Sequence, residues 1–151
     1  MINPEVLELF LDSDAAGFHP VVDFDANTEK IAALDLSPNN KNFTAKDYET
    51  TEALNNFVEK EMAKCGAKYL IGGYNEYRNM YLRSSLFDTN VQPDIVMAEE
   101  PRNIHLGIDV WGPENTKVYA PLGGMVHSFA FNDHFGDYGA TIILQHQLNS
   151  Y

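Results

Sequence analysis

The chain has 151 residues, 44% of them hydrophobic, and a formal net charge of −12. That is the size of one domain with room for a small extra layer, and it is apolar enough for a packed core, which excludes global disorder. So acidic a chain lacks the basic footprint that nucleic acid or an anionic membrane surface would require.

Asn3-Pro4-Glu5 opens a helix by composition: Asn as N-cap, Pro at the first helical position and an acid in the first turn. Val6, Leu7, Phe10 and Leu11 come next at helical spacing, until Gly17-Phe18-His19-Pro20 breaks the pattern. The N-terminus has neither the basic region nor the apolar run of a signal peptide. No apolar stretch approaches the roughly 18 residues of a membrane span. The expected location is therefore cytoplasmic, with no membrane partner.

Val21–Phe24 and Ile31–Leu36 read as short strands, and the turn Ser37-Pro38-Asn39-Asn40 ends the second. A helix is predicted to begin between Thr44 and Thr51, to present Leu54, Phe57, Val58 and Met62 on one face, and to stop at Gly66. Lys68–Ile71 reads as a strand closed by Gly72-Gly73. Tyr74–Phe87 is too polar for a core element and too aromatic for a plain linker, and Val91–Arg102 is loop-like, with Pro93 and Pro101. From Ile104 onward short β-rich runs alternate with glycine turns: 105–111, 117–120, 125–131 and 140–146. The expected fold is α+β, with a helical or mixed N-terminal layer over residues 1–101 and an antiparallel β region over 102–151.

Cys65 is the only cysteine, so no internal disulfide and no thiolate zinc cluster can form. A metal would have to rest on histidine and carboxylate. His105 and Asp109 lie four apart in Arg102-Asn103-Ile104-His105-Leu106-Gly107-Ile108-Asp109-Val110-Trp111-Gly112-Pro113. Gly107 and the Gly112-Pro113 stop argue against a helix. A straight strand would hold the two residues about 13 Å apart, whereas zinc needs both ligand atoms about 2.0–2.2 Å from one point. The strand must therefore bend, and Gly107 tolerates the bend. Taken by itself, a His-x-x-x-Asp spacing is a weak motif, and a histidine packed beside a strand with an aspartate capping a turn is the reading it favours.

The residues after the pair extend the pattern. Val118-Tyr119-Ala120-Pro121-Leu122-Gly123-Gly124-Met125-Val126 comes next, then a glycine-bounded segment with Gly136-Asp137-Tyr138-Gly139 and the apolar run Ala140–Leu144 before His146. This order resembles the core of lysostaphin-type zinc metallopeptidases, with their H-x-G-x-D, V-x-A-P-x-x-G-x-V and G-x-Y-G motifs. The likeness spans Arg102 to His146, about a third of the chain. The stretches Gly72–Glu76 and Tyr81–Ser84 are similar to the leader region of bacterial members. Asn115, Lys117 and Gly123 depart from the family's usual residues, all at turn positions.

The resemblance implies that His105 and Asp109 are zinc ligands and that the activity is hydrolysis of peptide bonds, those of peptidoglycan cross-links among them. It also implies a third protein ligand, the second histidine of an H-x-H motif, and further histidines that assist the zinc-bound water. All of these are expected beyond Tyr151, so the chain as it stands is read as a fragment that binds zinc weakly and cleaves nothing. The alternative is a non-catalytic peptide- or glycan-binding module on the same fold.

Three further residues are weaker candidates for touching substrate. His134 lies in the glycine-bounded loop, and Asn75 and Arg83 lie in the segment able to cover the cleft. Arg78 and Arg83 either pair with a peptide carboxylate or belong to a surface loop and pair with local acids. His19, His127, His146 and Cys65 read as structural.

Overall fold

A computed structural model describes residues 17–83, 103–134 and 137–147, together with Glu5, Glu8 and Asp12, which are helical. The rest of the helix expected to open at Asn3-Pro4 lies outside the described residues. The chain divides into two compact units. One is Asp25–Glu114 with Phe135–Asp137; the other joins Met1–Phe24, Asn115–His134 and Tyr138–Tyr151.

In the first unit, β1 (Ile31–Leu34) leads through a 3-10 turn (Ala45–Tyr48) into helix α1 (Thr51–Cys65) and then β2 (Tyr69–Gly72). Local chemistry sets the helix ends. The Thr50 hydroxyl accepts the Ala53 N–H at 3.1 Å, and Gly66 closes the helix in the left-handed region at φ 65°. β1 and β2 pair in parallel from Ile31↔Tyr69 to Leu34↔Gly72, as strands joined by a helical crossover do. Leu34, Leu36, Phe43, Phe57, Val58, Ala67 and Leu70 form the buried core, with Leu54, Met62, Cys65 and Trp111 packed against it. Phe57 and Val58 are the buried residues of the predicted helical face.

The remaining strands of this unit are short: β3 (Glu76–Tyr77), β4 (Ile104–His105) and β5 (Val110–Trp111). β3 pairs antiparallel with β4, and β5 joins β2 antiparallel, giving a three-stranded sheet in the order β1-β2-β5. Between His105 and Val110 the chain has therefore moved from one sheet to another.

The second unit holds a two-stranded antiparallel hairpin, β6 (Met125–Asn132) and β7 (Gly139–Gln145). The strands expected at Val21–Phe24 and Lys117–Ala120 reduce to one isolated bridge, Val22 with Val118. The α+β class holds, and among the described residues every strand pairing made after Ile104 is antiparallel. Those strands are spread over three sheets, because β4 and β5 find their partners in the N-terminal layer.

Candidate metal centre

His105 and Asp109 stand at the point where the chain changes sheets. His105 is fixed by the β3–β4 ribbon, opposite Glu76. Asp109 is fixed from the other sheet, where the Gly72 N–H donates to its carbonyl at 2.9 Å. Between them the backbone bends at Gly107. The bend closes a span that a straight strand would hold at about 13 Å: His105 Nε2 lies 3.3 Å from Asp109 Oδ1.

That separation does not amount to a hydrogen bond. His105 Nε2 is buried and without a hydrogen-bond partner. Burial, and then the nearby charge of Arg78, push the ring below its ordinary value, against the weaker pull of Asp109 and Glu76. The imidazole is therefore neutral at pH 7 and does not form an ion pair with Asp109. Its other nitrogen, Nδ1, lies 2.5 Å from the Tyr81 hydroxyl. With Nδ1 protonated and donating to that oxygen, Nε2 carries the lone pair, and it is Nε2 that faces Asp109.

The far side of the Asp109 carboxylate meets a second ionic group. Arg78 Nη1 donates to Asp109 Oδ2 at 2.6 Å, and Arg78 Nε donates to Glu76 Oε2 at 2.6 Å. Glu76 Oε1 in turn accepts the Leu36 N–H at 3.0 Å. The Arg78 side chain is only 3% exposed. Burial acts against its charge, but the hydrogen bonds and charges of Asp109 and Glu76 outweigh it, and the guanidinium is held above its ordinary value. Arg78 thus pairs with local acids, as one reading of its segment expected, but in the interior and not on a surface loop.

A zinc ion fits this donor set. Two ligand atoms of a tetrahedral zinc stand about 3.4 Å apart when each bond is about 2.1 Å, close to the 3.3 Å between Nε2 and Oδ1. A neutral imidazole whose buried Nε2 has no hydrogen-bond partner, set beside a carboxylate oxygen, is the donor chemistry that a zinc ion would use. Among the described residues no third His, Cys, Asp or Glu joins the two into a cluster.

The weaker candidates have surroundings of their own among the described residues. Asn75 occupies an exposed turn at φ 55°, a backbone position that favours Asn regardless of any ligand. Arg83 ends a 3-10 turn, Asn79–Arg83, and its side chain lies outside the described residues. His134 is exposed and belongs to the other unit. His19, His127 and His146 contact the Pro20 carbonyl, the Ser128 hydroxyl and the Gly123 carbonyl respectively. Cys65 is half-buried, its thiol 3.5 Å from the Met62 carbonyl.

Glu76, Arg78 and Tyr81 are the site residues whose positions the sequence does not reveal directly. The signal it does carry is alternation: Glu76 and Arg78 are two apart in an extended segment and so share a side. Compared with protein-family models, curated proteins and solved structures, the chain gives no match. Among the described residues no helix is long and apolar enough to cross a membrane.

Proposed function

We propose that His105 and Asp109 are two ligands of a zinc site belonging to a lysostaphin-type metallopeptidase core, acting on peptide bonds such as peptidoglycan cross-links. The observation that carries this reading is the buried, hydrogen-bond-free Nε2 of His105 set 3.3 Å from Asp109 Oδ1 across the bend at Gly107. The motif order from His105 to His146 supplies the family. Zinc bound there would polarise a carbonyl and activate water. The chain's own residues have simpler tasks. Tyr81 holds the His105 ring, Gly107 leaves room beside it, and Asp109 supplies an oxygen ligand.

Two protein ligands fall short of the three usual in catalytic zinc sites. The chain alone is expected to bind zinc weakly and to show no peptidase activity. The test is a zinc titration monitored by the His105 ring signals in NMR, with His105→Ala and Asp109→Ala as controls, beside a peptidase assay of this chain and of its longest natural reading frame. Zinc binding lost in both variants, with cleavage only in a longer form, supports the proposal. Binding unchanged in both variants removes it. Peptide or glycan binding with cleavage in neither form favours the non-catalytic module.

A further inference from the structure

The Asp109 carboxylate has two oxygens, and the structure gives them different neighbours. Oδ1 faces the orphaned Nε2 of His105, while Oδ2 accepts from Arg78 Nη1. Arg78 is itself held, since its Nε donates to Glu76 and Glu76 is tied to the Leu36 backbone. Leu36 is among the most deeply buried residues of the core. A continuous hydrogen-bonded path therefore runs from the core backbone through Glu76 and Arg78 to one oxygen of Asp109. The glycine at 72 makes room for it: a Cβ there would stand 3.0 Å from Arg78 Nη2 and 3.3 Å from Asp109 Oδ2.

We infer that Arg78, braced by Glu76, is a positioning residue for the metal centre, occupying one oxygen of Asp109 so that only the other is offered to zinc. The inference rests on the zinc reading of His105 and Asp109. An aspartate held by a single backbone strand can rotate about its side-chain bonds and present both oxygens, or neither. A guanidinium fork fixed at two of its nitrogens removes that freedom, and does so before any metal arrives. Partners of this kind, one step removed from a metal, commonly change affinity by about 10- to 100-fold when they are lost. Arg78 takes Oδ2 while Oδ1 faces His105, so the arginine does not occupy the oxygen that zinc would take.

The test compares zinc affinity in the full chain for wild type, Arg78→Lys, Glu76→Gln and His105→Ala, with cobalt(II) absorption as a second readout of ligand geometry. Glu76→Gln keeps an oxygen for the Leu36 N–H but turns an NH2 donor toward Arg78 Nε, so it removes both the charge and the acceptor that brace the arginine. Zinc affinity should fall about tenfold in Glu76→Gln and further in Arg78→Lys, with the cobalt spectrum altered in both and the folding of each metal-free variant checked by its thermal unfolding. Lysine should not rescue, because it carries the charge without the fork. If wild type binds no tighter than His105→Ala, the zinc reading itself fails. If wild type binds tighter than His105→Ala while Glu76→Gln and Arg78→Lys match wild type, the zinc reading stands and the positioning role is overturned. Should either variant not fold, zinc added to wild type must shift the Arg78 guanidinium NMR signals. Their failure to move while the His105 ring signals respond overturns the inference equally.

Discussion

At the scale of single residues, the site is governed by what surrounds one imidazole. Gly107 marks how little space there is: a Cβ at that position would stand 3.2 Å from both Cε1 and Nε2 of His105. Its backbone is not left-handed, so Gly107→Ala meets no conformational barrier there. The ring must yield by a few tenths of an ångström, and it is pinned at its other end by Tyr81. The expected outcome is a zinc affinity lower by about tenfold, in the range seen when ligand orientation is disturbed, with the unfolding midpoint in urea nearly unchanged. Equal loss of stability and affinity would mean that the glycine serves the fold and not the ring. Tyr81→Phe probes the same ring from Nδ1. It should weaken zinc binding while leaving the His105–Asp109 spacing intact, because the phenyl ring fills the same space without the oxygen that orders the tautomer.

At the scale of elements, the parts that local chemistry determines were the legible ones. Helix α1 could be placed from Thr50, the Leu54–Phe57–Val58–Met62 face and Gly66, because caps and periodicity act within a few residues. β1 and β2 were legible for the same reason. What the sequence could not convey was partnership. β4 and β5 are two residues each, and their places in two different sheets depend on β3 and β2, far away in the chain. The convergence of His105 and Asp109 could be stated in advance as a condition, because a zinc ion shared by the pair would demand it. The Arg78 brace could not, since it depends on β3 lying beside β4.

Close contact of β5 with the core makes a sharp test of this topology. A Cβ on Gly112 would lie 2.5 Å from the Tyr69 ring, which is 2% exposed and held in β2. Gly112→Ala should therefore destabilise the protein by about 1–3 kcal/mol, the usual result of overfilling a packed interior, read as a lower urea midpoint. An unchanged midpoint would place β5 elsewhere.

The β6–β7 hairpin also departs from simple alternation. A register shift between Val126 and Ser128 places Val126 on the side of Phe129 and Phe131, opposite Leu144 and Ile142. Phe129 is 79% and Phe131 74% exposed. So apolar an open surface is a solubility liability. The purified chain should show light scattering that grows with concentration, and the double change Phe129→Glu, Phe131→Glu should suppress it. Scattering that is identical in the two proteins would move the liability to another part of the molecule.

At the scale of the whole molecule, 22 acidic residues against 10 basic ones set two opposing responses to acid. Protonating carboxylates relieves the self-repulsion of a chain carrying −12, which favours the compact state as pH falls. Some carboxylates act in the other direction. Asp47 is lowered from its ordinary 3.8, first by its hydrogen bond with the Thr44 hydroxyl and then by the Thr44 N–H. Asp25 is lowered chiefly by the Asn27 N–H, and Glu29 chiefly by Lys68. A carboxylate whose folded value is depressed lends stability that is fully present above its unfolded value and is lost as pH falls through the folded one. The loss therefore belongs to the window below the ordinary carboxylate values, the same window in which repulsion is relieved. The two responses can be separated because Asp47→Asn removes one of the depressed groups while changing the net charge by only one. Thermal unfolding measured from neutral pH down to about pH 3 should fall more gently in Asp47→Asn than in wild type, with the two curves drawing together at the acid end. They draw together there because Asp47, as it takes up its proton, gives up what the asparagine lacks. Parallel curves with a constant offset would show that the Thr44–Asp47 turn contributes through packing and not through the charge of its carboxylate.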